Sequence, residues 1–306
     1  MDRNGTGPRL KKHRAGSSVR GAWRLAVYLC WTFLLIPFQA LAVATGMWRW
    51  SLIPGIYHRG CARILGFDIK VIGERATDGP ILFVSNHSSY LDITVLGGLI
   101  PGSFVAKSEV AGWPLFGYLA KLQRTVFIER KSKGTVDKQR DDIGGRLDQG
   151  DQLILFPEGT SSDGNRTLPF KTALFAVAAR KVNDRPVTVQ PVSITATGLD
   201  GLPMGFSFRS FYAWYGDMDL APHLWSAFCQ LGMTIEVEFH RPVTIDEFAS
   251  RKSLGEYCYR TISNGVAAAI TGRRPVPATV AASAAVNEVA VNEAAATLPS
   301  PSGSAG

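Results

Sequence analysis

The chain has 306 residues, 46% of them hydrophobic, and a formal net charge of +8. That content suffices for a sizeable core in one large domain or two small ones, and a mean hydropathy of +0.06 is high for a purely soluble enzyme. Four cysteines (Cys30, Cys61, Cys229, Cys258) show no C-x-x-C or metal-ligand spacing, which argues against a thiolate metal site and reads as reduced structural thiols in a cytosol-facing protein.

The charge is unevenly spread: residues 1–24 hold seven Lys and Arg against Asp2 alone. Such a basic arm suits nucleic acid or an anionic membrane surface. The membrane is the better partner, because a strongly apolar segment follows at once. That segment, Leu25 to Met47, carries no charge and matches the ~20 residues that cross a bilayer core. It is too long, and lies behind too long a basic arm, for a cleaved signal peptide. A basic arm keeps the amino terminus inside, so one full crossing would put the rest of the chain outside. Pro37 lies mid-segment, where it can break or kink a helix. Trp48-Arg49-Trp50 reads as an interfacial anchor, and Ile53 to Phe67 is a shorter mixed stretch bearing Arg59 and Arg63. The expected arrangement is a bent or re-entrant helical pair over residues 25–66, with a single span as the alternative.

Beyond it, apolar runs alternate with helix-like segments. Strands are expected at Asp68–Ile72, Ile81–Ser85, Phe104–Lys107, Val126–Arg130, Leu153–Phe156, Thr188–Thr195, Phe206–Tyr212 and Thr234–Phe239. Helices are expected at Leu91–Leu99, Trp113–Leu122, Val136–Asp148, Thr172–Val182 and Ile245–Ile270. The alternation implies an α/β domain with a largely buried sheet over residues 67–272. In open α/β sheets chemistry gathers where strands end and helices begin. From residue 273 the chain is mostly Ala, Val, Ser, Pro and Gly, without a core face, and reads as a disordered tail.

Asn86-His87-Ser88-Ser89-Tyr90-Leu91-Asp92 follows the strand-like run Ile81–Val84. Histidine is the side chain best poised to take a proton near neutral pH. An aspartate accepting its other ring N–H fixes the tautomer and stabilises the imidazolium. On one regular helix, positions five apart point about 140° apart. His87 and Asp92 therefore meet only if His87 sits in a loop and the helix begins near Ser88 or Ser89, both good N-caps. No serine or cysteine nucleophile has a matching signature, which points to a base acting on a substrate hydroxyl. An ordinary strand-to-helix turn is the alternative for this stretch taken alone.

Three further blocks follow in order: Thr125-Val126-Phe127-Ile128-Glu129-Arg130, Phe156-Pro157-Glu158-Gly159-Thr160-Ser161-Ser162, and Val189-Gln190-Pro191-Val192-Ser193-Ile194. Together, over roughly residues 65 to 200, they resemble the four blocks of the glycerolipid acyltransferase family, most closely the bacterial 1-acyl-sn-glycerol-3-phosphate (lysophosphatidate) acyltransferases. Glu129 stands where many relatives carry Asp, and Gln190-Pro191 replaces the commoner Val-Pro. These departures are expected to bear on substrate fit more than on reaction class.

The resemblance implies a single mixed-sheet α/β acyltransferase domain behind a membrane-embedded helical segment. It implies transfer of an acyl group from acyl-CoA or acyl carrier protein, as co-substrate and without any cofactor or metal, to the sn-2 hydroxyl of lysophosphatidate. Because such donors are cytosolic, the helical pair is expected to embed from the cytoplasmic side of the inner membrane. His87 would be the general base and Asp92 its partner. Arg130 is the leading phosphate ligand, since a guanidinium grips phosphate in bidentate fashion, and a solvated Glu-Arg-Lys turn is the alternative. Glu158-Gly159-Thr160-Ser161 offers a tight turn whose amides and hydroxyls could hold phosphate or a glycerol oxygen. Glu158, an anion, would pair with Arg130 or a glycerol hydroxyl. Lys107 and Lys171 are secondary cations, or exposed structural lysines.

Trp214-Tyr215-Gly216-Asp217-Met218-Asp219-Leu220 with His223-Leu224-Trp225 crowds aromatics, acids and a histidine into a short span. No recognised metal cage is present, and the segment reads as membrane-facing or acyl-lining. It resembles a stretch in some bacterial acyltransferases that use lyso-ornithine lipid, which keeps that acceptor open. A lipid hydrolase would need a G-x-S-x-G elbow, which Gly159–Gly164 only superficially resembles. A non-catalytic membrane protein would not need these blocks in register.

Overall fold

A computed structural model of the protein describes residues 16–47, 49–128, 135–182 and 184–273, with 135–141 described by their backbone alone. Most of the basic arm, Arg130 and the carboxy-terminal tail lie outside these residues.

Helix α1, Ser18–Ala44, starts earlier than the apolar run and passes through Pro37 without ending. Arg20 and Arg24, expected in the basic arm, sit in its first two turns. Arg20 donates to Cys229 O, and Arg24 to Leu65 O, Gln230 O and Leu231 O. Helix α2, Leu52–Leu65, packs on α1 and ends at Gly66, whose left-handed φ of 74° turns the chain into the sheet. α1 is patterned inside out. Thr32, Gln39 and Ala42 are buried, whereas Phe33, Leu34, Phe38 and Leu41 are more than half exposed.

The strands are β1 (Phe67–Ile72), β2 (Ile81–Ser85), β3 (Gly102–Lys107), β4 (Val126–Ile128), β5 (Gln152–Leu155), a small hairpin of β6 (Lys181–Val182) and β7 (Arg185–Pro186), then β8 (Thr188–Leu199), β9 (Leu202–Pro203) and β10 (Met233–Phe239). The main sheet runs β1-β10-β8-β2-β5-β3-β4, with β9 added to β8. β8, β2, β5, β3 and β4 are mutually parallel, and β10 is antiparallel to β8. The mixed α/β sheet is therefore as expected.

All five residues of β2 are buried, which a central strand covered on both faces requires. Ile81 and Phe83 face a core with helix α3 (Leu91–Leu99) and α6 (Leu220–Cys229). Leu82 and Val84 face another with α5 (Thr135–Asp148) and α7 (Arg251–Thr271). Helix α4 (Phe116–Leu122) lies near α1.

Several expected elements differ. Phe206–Phe211 is a run of 3-10 turns, not a strand, because buried Arg209 reaches back to Ala196 O and Met204 O and holds the chain coiled. Thr172–Ala179 is also 3-10, and Arg180 then turns extended so that Lys181–Val182 pairs with Arg185–Pro186. The long helix expected from Ile245 breaks at extended Phe248 and restarts behind a Ser250–Ser253 capping box. α4 starts after Pro114, whose ring keeps Trp113 extended. α6 has no counterpart among the expected helices.

Candidate active site

β2 and β5 are neighbours in parallel register, Val84 beside Leu155, so their carboxyl ends deliver two loops to one place. The first carries His87 and the second Glu158. Asn86 closes the β2 side: its side chain donates to Ile194 O and accepts from Ile194 N, both at 2.9 Å, as a strand residue would. With Asn86 so pinned, the next residue is aimed off the sheet.

His87 Nδ1 lies 2.9 Å from Asp92 Oδ2. A carboxylate only accepts, so Nδ1 carries the proton and Nε2 is left as the basic nitrogen. The His87 side chain is 21% exposed and Asp92 fully buried, which leaves the base accessible and its partner sealed. Asp92 also accepts from the backbone amides of Ser88 (2.7 Å) and Ser89 (2.9 Å). α3 spans Leu91–Leu99 as expected, with Tyr90 as N-cap in place of Ser88 or Ser89. Ser88 and Ser89 form the loop that Asp92 ties down.

The fourth strong donor to Asp92 lies far along the chain. Tyr212 OH donates to Oδ1 at 2.7 Å, and Tyr212 is 1% exposed. Burial, then the Asp92 charge, push the phenol well above its ordinary range, so it remains a donor. Sequence reading missed this residue. It lies 120 positions from Asp92 in a segment taken for a strand. The same segment clamps the loop again: Trp214 N donates to Ser88 O, and Ser161 Oγ to Trp214 O. Phe156 stacks on the His87 ring at 4.2 Å between centroids.

Glu158 does not reach toward solvent. It is 3% exposed, and its Oε1 accepts from His87 N at 3.1 Å. Burial raises its carboxyl to about 8, opposed by the amides of His87 and Leu168 and reinforced by Asp92. Its Oε2 has no partner among the described residues. Gly159 takes a φ of 73°, a left-handed turn natural to glycine, and Ser162 N donates to His87 O. Thr160 is exposed, and the Ser161 hydroxyl, expected at the acceptor, is held by Trp214 O. Lys107 ends β3 beside Ile128, and Lys171 N donates to Pro157 O, closing the Glu158 loop. Arg130, the expected phosphate ligand, lies outside the described residues. Gln190, expected to bear on substrate fit, is buried and braces Glu74 O, Ala76 N and His240 O.

Tyr90 and Leu91, which lie between His87 and Asp92 in the chain, line an apolar cavity of about 170 Å³. Tyr28 and Leu35 of α1, Tyr57 of α2, Tyr90, and Leu220 and Leu224 of α6 are among its walls. The Trp214–Trp225 segment thus divides. Leu220 and Leu224 line the cavity, His223 is buried against Tyr90 OH at 2.9 Å, and Trp225 is 40% exposed.

Residues 68–195 match the acyltransferase family model. The chain is 43% identical over 247 residues to a lyso-ornithine lipid O-acyltransferase of Brucella abortus, covering 80% of this chain and 91% of that one. A Rhizobium meliloti protein of the same name is 40% identical over 261 residues, covering 82% and 89%. A 1-acyl-sn-glycerol-3-phosphate acyltransferase of Neisseria gonorrhoeae is 32% identical over 183 residues, covering 59% and 68%. The crystal structure of the 1-acyl-sn-glycerophosphate acyltransferase from Thermotoga maritima has the same fold, with a TM-score of 0.60 at 20% identity, covering 85% of this chain and 96% of that one. With a 43% identical relative matched along 91% of its length, the chain belongs to the glycerolipid acyltransferase family, enzymes that acylate a lysolipid hydroxyl.

Proposed function

We propose that the acceptor is lyso-ornithine lipid and the product ornithine lipid, in place of the lysophosphatidate that the sequence motifs put first. The observation that carries this is the order of the relatives: two named for lyso-ornithine lipid match at 43% and 40% over four-fifths of the chain, and one named for the glycerophosphate acceptor at 32% over 59%.

In this reading His87 Nε2 takes the proton of the lipid hydroxyl as that oxygen attacks the thioester carbonyl. The tetrahedral intermediate then collapses, the C–S bond breaks, and the departing thiolate takes the proton back from the imidazolium. Asp92, held by two amides and a phenol, keeps its charge beside His87 through both steps. Base assistance of this kind contributes ~10²–10⁴-fold. The transferred chain would lie in the apolar cavity. Helices α1 and α2 would embed in the inner membrane from its cytoplasmic side, a placement supported by the bare outer face of α1 and the cytosolic supply of acyl-CoA or acyl carrier protein.

Membranes carrying the full chain, given labelled acyl thioester with either lysolipid, test the acceptor. Labelled ornithine lipid formed well ahead of phosphatidate is the expected result. Preference for lysophosphatidate overturns the assignment, and free fatty acid alone would point to a hydrolase.

A further inference from the structure

The cavity beside the catalytic pair is not uniformly greasy. Gln39 of α1 and His58 of α2 line it, and each is 5% exposed. Gln39 Nε2 donates to Leu122 O at 2.7 Å. A carbonyl only accepts, so this bond fixes the amide and turns its oxygen away from Leu122. His58 Nε2 lies 2.9 Å from Gln123 Oε1. That acceptor requires the proton on Nε2 and leaves Nδ1 as a lone pair in the neutral ring. Gln39 Oε1 and His58 Nδ1 are then two buried acceptors without a partner among the described residues.

Both side chains are tied to the end of α4, Gln39 to Leu122 and His58 to Gln123. Two of the nearby hydroxyls are committed elsewhere. Thr32 Oγ1 donates to Tyr28 O, and Tyr57 OH to Tyr28 OH. Leaving buried acceptors unmet is unfavourable, because each has given up its bonds to water. A wall meant for plain hydrocarbon would carry Leu or Met at both positions.

Their depth is set by α3. The His58 ring lies against Gly97, where any side chain would overlap it. Gly97 is seven residues from Tyr90 at the catalytic end, or about 10 Å along the helix. His58 therefore stands beside a point part-way down an acyl chain whose carbonyl sits at His87.

We infer that the cavity accepts an acyl chain carrying a hydroxyl part-way along its length, which donates to Gln39 Oε1 or His58 Nδ1. This rests on the reading that the cavity holds the transferred chain. The hydroxyl takes no part in the chemistry; it selects which thioester is used. A single satisfied bond of this kind is worth several-fold to about tenfold in selectivity.

The full-length enzyme in membranes is given thioesters of one length, either unsubstituted or with a single hydroxyl moved one carbon at a time along the chain. One isomer near the middle should exceed the unsubstituted chain in kcat/KM by several-fold or more. Gln39→Met and His58→Phe, which fill the same space without an acceptor, should each reduce that ratio toward unity. Thermal melts separate lost selectivity from lost folding. If either variant fails to fold, the wild-type ratio decides alone. A wild type that uses every hydroxylated isomer no better than the plain chain overturns the inference, with the acceptors then met by a trapped water, and leaves the acyltransferase reading intact. Absence of transfer from every thioester would overturn both.

Discussion

Asp92 receives two backbone amides, a histidine N–H and a phenol, with no exposure to water. Each donor fixes a direction, so the carboxylate orients His87 instead of merely neighbouring it. Asp92→Asn should lower kcat by an amount approaching ~10⁴-fold, because an amide must turn N–H groups toward Tyr212 or His87, where an acceptor is needed. A variant as active as wild type would reduce Asp92 to a loop tie. Tyr212→Phe removes one donor without changing shape, and kcat should drop about tenfold while KM for both substrates holds; a change confined to KM would place Tyr212 at the substrate. Glu158 titrates differently. Its folded-state carboxyl is raised to about 8 from 4.5 by burial, so the protonated form is the one that folding favours. Its contribution is fully present below about pH 4.5 and is lost as pH rises through about 8. Glu158→Gln should match wild type in Tm at pH 4.5 and exceed it increasingly toward pH 8. Parallel Tm curves across that window would mean that an unseen cation keeps Glu158 ionised.

At the scale of elements, legibility followed locality. β2 and α3 were readable because a short apolar run, a polar loop and an apolar nonapeptide succeed one another within Ile81–Leu99. The His87–Asp92 meeting was readable for the same reason, since both ends lie within six residues. Elements decided by a distant partner were not. Phe206–Phe211 has a strand-like scatter of aromatics, and what coils it is the reach of Arg209 to Ala196 and Met204. Tyr212 escaped notice because its partner is 120 residues away, a distance that no local spacing encodes. α6 was legible in principle: Leu220, Leu224 and Phe228 recur at helical spacing and all line the cavity. α1 is the element whose surface and core are exchanged. Phe33→Asp with Phe38→Asp should release the protein from vesicles of inner-membrane composition while its Tm in detergent changes little, since both side chains are more than half exposed. Retained vesicle binding would assign that face to another protein.

For the molecule as a whole, the mixed sheet sets two loops side by side, and the helical pair closes the space in front of them. Bulk composition foretold a long apolar helix but not its second surface. The stripe Tyr28, Thr32, Leu35, Gln39 recurs about once per turn along α1, and all four residues line the cavity. Hydropathy averages over both faces of a helix and so hides such a stripe. The helix that would hold the enzyme in lipid is therefore also one side of the vessel that would receive the lipid's chain. Anchor and receptacle cannot be parted. A version beginning at Phe67 should not be a freely diffusing catalyst awaiting substrate. It would keep His87 and Asp92 in place, yet should transfer long chains at no more than a few per cent of the full-length rate even when substrate is dispersed in detergent, because one wall of the receptacle would be missing. Full activity in that truncated chain would show that α1 only tethers.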